Sequence, residues 1–399
     1  MITSTKKPLK KKKKKKKQKQ RSYFYRISAW LHLWLGLISG IVVVLVSLTA
    51  AILTFEQEIK LLTESFQTVE YAQDAEFLPP SVLSAKVKEE FNFPSVYSVY
   101  YRGAGRSAVV PYYADRTNYQ EIFVNPYTGE TLYNRRLNSD FWRSMIIGHY
   151  QLWLPRYIGK PIVAYGTFIF VIALITGLVL WWPRRWNKTT RDASFKIKWI
   201  AKFKRLNYDL HNVLGFYSLL IALVLGLTGM VYGMQWFSDA VYWTASGGEI
   251  RSEERMISDT TATSTFGIAD EDVLFRQVIA SGIDPAQNQI TIQYPYGKAG
   301  AWNVTINPSF QTRWQARSTY YERGSLKELR KDPAFSEVNR GEQLMRLNYD
   351  LHIGAIGGIW TKIIAFLVCI ISASLPVTGF IVWWKKNPNK RIKGLKFPT

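Results

Sequence analysis

The sequence predicts an integral membrane α-helical protein: a four-helix transmembrane bundle made of two pseudo-twofold-related halves, with two α+β modules outside the membrane. Four apolar runs, each able to cross a bilayer with about 20 residues, support this prediction. The runs are residues 30–55, 161–182, 213–237 and 363–384. The first run has no charged residue from Leu33 to Phe55. Core helices of soluble proteins rarely stay apolar on every face for such a length, so a soluble bundle is the weaker alternative.

Charge is distributed unevenly along the chain, whose formal net charge is +23. Residues 1–26 contain thirteen Lys or Arg and no acid, residues 183–205 contain nine against Asp192, and the tail from Lys385 contains six. Because cytoplasmic loops are enriched in Lys and Arg, both termini and the middle loop are predicted to be cytoplasmic. The two long segments between spans then lie outside. Anionic lipids explain the basic runs better than nucleic acid does.

Taken in order, the chain divides into nine segments. They are a basic tail (1–22), the first span (23–56), an outer module (57–140), an interfacial lead-in with the second span (141–183), a basic cytoplasmic loop (184–204), the third span (205–237), a second outer module (238–343), a second lead-in with the fourth span (344–385) and a cytoplasmic tail (386–399). Helical spacing of apolar residues predicts one helix in each module, and alternation predicts strands. The helices are 81–91 and 270–280, and the strands are 95–101, 109–113, 121–124, 130–133, 289–294 and 302–306.

An internal repeat relates parts of the chain to one another. The heptapeptide Arg-Leu-Asn-Tyr-Asp-Leu-His occurs at residues 205–211 and again at 346–352. His32 and His211 are each followed by a threonine seventeen residues later, and the second and fourth runs both end in Thr-Gly-x-x-x-Trp-Trp. These matches predict two halves with the same orientation, related by a pseudo-twofold axis along the membrane normal.

The four histidines of the chain, His32, His149, His211 and His352, each lie at or shortly before an apolar run. The pseudo-twofold axis would pair His32 with His211 near the cytoplasmic face, and His149 with His352 near the outer face. Two imidazoles that face each other across a helix bundle are the usual axial ligands of a six-coordinate haem. The glycines four residues after His32 and His211 leave room for a flat porphyrin. The sequence therefore predicts two b-type haems, with Lys, Met or water left open as one axial ligand.

Four further side chains are candidates for supporting roles. Arg205 and Arg346, each six residues before a histidine, suit the carboxylates of haem propionates. For Arg205, a positive charge that sets topology is an equal explanation. Asp209 and Asp350 are candidates to accept the second imidazole proton, or alternatively to cap helices. Zinc is disfavoured because two histidines without a cysteine or a nearby acid make a poor tetrahedral set.

Several of these motifs together resemble the PepSY-associated transmembrane family, often called iron-regulated inner-membrane proteins. The resemblance covers about residues 22–386 and rests on the four spans, the Leu-Asn-Tyr-Asp-Leu-His motifs and the strand, Asn-Pro turn and strand of residues 122–132. The second outer module departs from the pattern, because Asn307-Pro308 is not followed by a turn glycine. The resemblance implies two periplasmic PepSY-like modules, a bacterial inner-membrane location, and haem binding at the four histidines. It also implies an activity like that of di-haem siderophore-iron reductases.

The predicted function is a di-haem oxidoreductase that passes electrons to a periplasmic ferric siderophore or other ferric chelate and releases ferrous iron. No nicotinamide-binding or flavin-binding domain is visible, so the donor is predicted to be membrane quinol or a cytoplasmic reductase. The main alternative is a haem-free PepSY membrane protein that regulates a peptidase or senses the envelope. A transporter is a third possibility, disfavoured because the spans offer few polar residues at mid-membrane.

Overall fold

The structure is a computed structural model that describes residues 21–71, 75–115, 118–251, 256–259, 261, 266–297 and 299–385. The two predicted tails are residues 1–22 and 386–399, and apart from residues 21 and 22 they lie outside the described residues. The described helices are α1 (Tyr23–Thr54), α2 (Glu56–Thr63), α3 (Pro80–Phe91), α4 (Phe141–Gln151), α5 (Arg156–Trp181), α6 (Lys188–Phe195), α7 (Phe203–Asp209), α8 (Gly215–Gly233), α9 (Gln235–Ser246), α10 (Asp270–Ala280), α11 (Arg340–His352) and α12 (Gly358–Trp384). The described strands are β1 (Ser98–Tyr101), β2 (Ala108–Asp115), β3 (Asn118–Val124), β4 (Thr131–Arg136), β5 (Gln289–Gln293), β6 (Trp302–Asn307), β7 (Arg317–Tyr321) and β8 (Glu328–Lys331).

Four helical stretches in the described part of the chain are long and apolar enough to cross a membrane. They are α1, α5, the stretch from α7 through α8, and α12, which correspond to the four predicted runs. The chain is therefore a multi-pass membrane protein. Helix α1 packs against α5 and α12, and α8 packs against the same two helices. Helices α1 and α8 consequently lie diagonally across the bundle, which places the histidines that begin these two spans on opposite sides of its centre.

The eight strands form one antiparallel sheet in the order β4-β3-β2-β1-β5-β6-β7-β8. The two outer segments, predicted as separate modules, therefore share a single sheet. Strands β1 and β5 join them with a register that runs from Ser98 opposite Gln293 to Tyr101 opposite Ile290. Either half alone would leave a central strand with a row of unpaired backbone groups, and the pairing of β1 with β5 satisfies those groups.

Helices α3 and α10 cover one face of the sheet. Leu83 of α3 and Leu274 of α10 are almost fully buried against the strands. Tyr101 of β1 stacks on Phe275 of α10 with ring centroids 4.7 Å apart. Full burial of each such side chain stabilises the fold by roughly 1.5–3 kcal/mol, so this core holds the two halves of the sheet together. Both helices and the first six strands lie where the sequence predicts them, whereas β7 and β8 are polar and have no apolar alternation.

Two connections join the sheet to the bundle. Helix α4 follows β4, and Asp140 accepts a hydrogen bond from the backbone N–H of Arg143 at 2.7 Å to begin that helix. Helix α11 follows β8, and Asp350 in α11 accepts hydrogen bonds at 2.9–3.0 Å from the backbone N–H groups of Arg313 and Trp314. These two residues lie between β6 and β7. The helices that carry His149 and His352 therefore both adjoin the sheet domain.

Candidate functional site

The four histidines lie in two facing pairs. His32 of α1 lies opposite His211, with ring centroids 6.1 Å apart and ring planes at 76°. His149 of α4 lies opposite His352 of α11, with ring centroids 6.0 Å apart and ring planes at 52°. The structure therefore brings together the same pairs that the sequence repeat predicts. Each pair, called here the inner pair (His32 and His211) and the outer pair (His149 and His352), takes one imidazole from each half of the chain.

Each imidazole is held through its Nδ1 atom by a neighbouring span. Nδ1–H donates to a backbone carbonyl oxygen, and the hydroxyl of a threonine three residues further along that span lies beside it. The carbonyl oxygens are those of Ala173 for His32 (2.9 Å), Val46 for His149 (3.0 Å), Leu375 for His211 (3.1 Å) and Leu225 for His352. The threonine Oγ1 atoms are those of Thr176 (3.5 Å), Thr49 (3.3 Å), Thr378 (3.0 Å) and Thr228 (3.0 Å), in the same order. Because the proton is on Nδ1, each Nε2 keeps the lone pair with which imidazole binds a metal.

A glycine follows three of these four threonines and lies against the ring. A Cβ atom on Gly177 or on Gly379 would lie 3.0 Å from the Cε1 atom of His32 or His211, and one on Gly229 would lie 3.2 Å from that of His352. The fourth position is Ala50, which lines the space around the outer pair. The Thr-Gly sequence that ends the second and fourth spans is therefore part of the site. The recurrence of Thr-Gly is the signal in the sequence by which the threonines and glycines beside the histidines could have been identified.

The glycines four residues after the inner histidines have no packing role of this kind. A Cβ atom on Gly36 would meet nothing within 4 Å, and one on Gly215 would lie 3.5 Å from Leu375. Contacts within the protein therefore do not require glycine at either position. The open space beside Gly36 suits the flat group that the sequence predicts there.

The repeated heptapeptide makes the same contact in both of its copies. Its asparagine donates to the backbone carbonyl oxygen of the threonine whose hydroxyl lies beside the histidine. Asn207 reaches Thr378 at 3.0 Å, and Asn348 reaches Thr228 at 3.2 Å. The asparagine and the histidine, four residues apart on one helix face, thus fix the partner span at two adjacent points. This double contact gives a physical reason for the identity of the two copies.

The prediction that Asp209 and Asp350 accept the second imidazole proton is wrong. Both carboxylates are fully buried, but Asp350 binds the loop before β7, and Asp209 accepts from the backbone N–H of Lys198 at 3.3 Å. Each aspartate lies two residues before its histidine, and side chains at that spacing point to different faces of a helix. The alternative of helix capping is also wrong, since the side chain of Asp209 makes no capping hydrogen bond to the turn that follows α7, and Asp350 lies inside α11.

Arg205 and Arg346 both have partners on their own helices. Arg205 lies 2.8 Å from Asp209, and Arg346 lies 3.4 Å from Glu342. Arg346 also donates to the backbone carbonyl oxygen of Pro333 at 3.0 Å. Neither arginine is part of the wall of the cavity around the outer pair. Their role as partners of haem propionates stays a prediction.

A cavity of about 370 Å³ surrounds the outer pair. Its wall is mainly apolar and includes Val43 of α1, Phe170 of α5 and Ala222 of α8, with a few polar groups. The largest polar members are Lys160, Tyr150, Tyr232 and Tyr349. Such a volume, with mostly apolar walls and few polar groups, is typical of a cofactor site. Burial lowers the pKa of His149, and burial followed by the charge of His149 lowers that of His352 to about 4, so both rings are neutral at pH 7.

The inner pair has a distinct backbone feature. His211 lies in a π-helical turn, Leu210–Leu214, that connects α7 to α8. Single π turns inside α-helices recur at functional sites, and no sequence pattern used above predicts this one. Among the described residues, no group of three or more His, Cys, Asp or Glu side chains is arranged to hold a metal ion. Each histidine pair offers two imidazole nitrogens, so it suits a metal that brings its other ligands with it, as haem iron does.

A family model described as the PepSY-associated TM region matches residues 29–386, a range that contains most of the first span, the other three spans, the sheet and all four histidines. No curated protein matches the chain significantly.

Proposed function

The chain belongs to the PepSY-associated transmembrane family, and from its paired histidines we propose that it is a di-haem oxidoreductase of the bacterial inner membrane. It would carry electrons to a ferric siderophore or another ferric chelate in the periplasm. The inner pair would hold one b-type haem and the outer pair the other. A bound haem gives or takes one electron at a time, as the reduction of ferric to ferrous iron requires.

The observation that carries this proposal is the arrangement of the imidazoles in each pair. An ion bound by two facing imidazoles, about 2 Å from each nitrogen and roughly 3 Å from each ring centre, separates the ring centres by about 6 Å. The two pairs have separations of 6.1 and 6.0 Å. Since each Nδ1 is bound to a helix, the rings are oriented and their Nε2 atoms stay available. The separation of the rings in each pair thus supports a metal ion bound between them.

The two pairs lie at opposite ends of the bundle. Helix α1 carries His32 near its start and contacts His149 through Thr49 near its end. Seventeen residues of helix correspond to about 25 Å at 1.5 Å per residue. Two sites at these depths would divide an apolar barrier of about 30 Å into shorter electron-transfer steps.

The orientation is part of the proposal. The Lys and Arg runs support cytoplasmic termini and a cytoplasmic middle loop. The equivalent His–Thr contacts in both halves support a pseudo-twofold axis along the membrane normal. On this orientation the sheet domain and the outer pair face the periplasm.

The substrate is assigned to the outer side because the sheet domain contacts the helices of the outer pair. A ferric chelate too large or too polar to cross the membrane would meet the protein there. The inner pair lies beside the basic middle loop, where Arg205 precedes His211. Electrons would enter at that end from membrane quinol or from an acidic cytoplasmic reductase that is attracted by the positive charge.

Haem content tests the proposal directly. Protein from haem-replete cells should show a Soret band, sharp α bands after reduction, and two haems per chain. His32→Ala and His211→Ala should each remove one and the same haem, and the double variant should lose no more than either single variant, because both residues bind one iron. His149→Ala and His352→Ala should remove the other haem. Colourless protein would refute the proposal and favour a haem-free role, and loss of the same haem in His32→Ala and His149→Ala would refute the pairing.

A further inference from the structure

The cavity around the outer pair has a positively charged side chain in its wall. Lys160 lies on α5, four residues after the first residue of that helix, and is half-buried. No carboxylate of the described residues lies within ion-pair distance of its Nζ atom. A cation inside a membrane protein is unfavourable unless it is paired or hydrated, so a lysine in a cavity wall without a carboxylate partner is available to bind an anion there.

The chain contains a matched lysine whose situation differs. Lys160 lies sixteen residues before Thr176, and Lys362 lies sixteen residues before Thr378 on α12. Lys362 is 7% exposed, and its Nζ atom donates to both carboxylate oxygens of Glu58 at 2.6 and 2.7 Å. The second lysine is therefore neutralised within the protein.

The difference between the two lysines comes from a single position. Glu58 lies nine residues after Thr49, and the residue nine positions after Thr228 is Phe237. At the position equivalent to Glu58, the second half of the chain thus has the apolar ring of Phe237 in place of a carboxylate that could pair with Lys160. The wall residues themselves correspond between halves: Thr167 and Phe170 of α5 occupy the positions of Cys369 and Ser372 of α12. Of the two equivalent cations, only Lys160 is left facing the cavity.

We infer that Lys160 binds a propionate carboxylate of the haem held by the outer pair, an inference that rests on the proposed function. Lys160 lies near the start of α5, and the apolar wall residue Phe170 lies ten residues deeper into the span. The carboxylate end of the haem therefore faces the end of the bundle that carries the sheet domain. A lipid phosphate has the same negative charge, and the test below separates the two sources.

The test is a titration of haem-free, full-length protein with haem and with haem dimethyl ester, whose propionates carry no charge. The protein carries His32→Ala so that only the outer pair binds. Haem should bind more tightly than its ester by roughly tenfold, the effect of one charge-assisted contact. Lys160→Met should abolish this preference, and Lys160→Arg should retain it. The matched control is the double variant Lys362→Met with Glu58→Gln, which removes the other lysine together with the carboxylate that pairs with it. This variant should also retain the preference for haem over its ester.

The affinity for the ester serves as the control for folding. If Lys160→Met binds the ester as the parent does and still prefers haem tenfold, Lys160 does not bind the propionate and the inference is overturned. Equal loss of both affinities would assign Lys160 a structural role and would also overturn the inference. A parent protein that binds neither haem nor ester would instead refute the proposed function. The reduction potential of the outer haem gives a second measurement: it should fall in Lys160→Met, because loss of a nearby positive charge favours the ferric state.

Discussion

The threonines beside the inner histidines allow a graded prediction. Thr378 places its Oγ1 atom 3.0 Å from Nδ1 of His211, whereas Thr176 places its Oγ1 atom 3.5 Å from Nδ1 of His32. A valine at either position keeps the shape of the side chain but removes the hydroxyl. In both variants the backbone carbonyl oxygen remains as an acceptor, so Nδ1–H does not become unsatisfied.

The expected losses follow from these distances. Thr378→Val removes one contact of good geometry, worth about 1 kcal/mol, which corresponds to roughly fivefold weaker haem binding at the inner pair. Thr176→Val removes a contact at the limit of hydrogen bonding, so its loss should be less than about twofold. The assay is a haem titration of His149→Ala protein, which isolates the inner pair. If Thr176→Val weakens binding as much as Thr378→Val does, the threonine hydroxyls do not act through Nδ1 and the reasoning is wrong.

Three further predictions test the orientation, the outlet and the packing. A reporter active only in the periplasm should be active when fused after Asp140 and silent after Lys188, and the reverse pattern would invert the bundle. Dithionite-reduced His149→Ala protein should not be reoxidised by a ferric hydroxamate chelate, although its inner haem stays reducible. Stopped-flow absorbance measures the rate of reoxidation, and reoxidation at the wild-type rate would show that electrons do not leave through the outer haem. Glu58→Gln should lower stability by about 2 kcal/mol, less than the 3–5 typical of a fully buried pair because Glu58 is 38% exposed. Thermal unfolding measures this loss, adding Lys362→Met should recover most of it, and no recovery would show that the pair is not the cause.

The sheet domain shows where sequence patterns were insufficient. Alternation of apolar residues predicts β1, β2, β3, β5 and β6 because one face of each is buried against α3 and α10. Strands β7 and β8 carry mostly polar residues, and their position at one edge of the sheet is set by pairing with β6. The union of the two modules depends on backbone pairing between β1 and β5, which can form between strands of many sequences. No single residue therefore indicates it.

The sequence by itself determined the features that depend on length and repetition. Four apolar runs specify four spans, and the recurrence of His, Thr and the heptapeptide specifies which histidines correspond. Only the tertiary structure decided what binds each Nδ1 atom, because the acceptors are backbone carbonyl oxygens such as those of Ala173 and Leu375, and every residue has one. Side-chain acceptors, unlike backbone ones, can be identified in a sequence, so the sequence suggested the carboxylates of Asp209 and Asp350 instead. Helix geometry turns these two side chains away from the imidazoles. The distinct environments of Lys160 and Lys362 were likewise decided by the tertiary structure. Only the packing of the chain brings Glu58 to Lys362 of α12, 304 positions away.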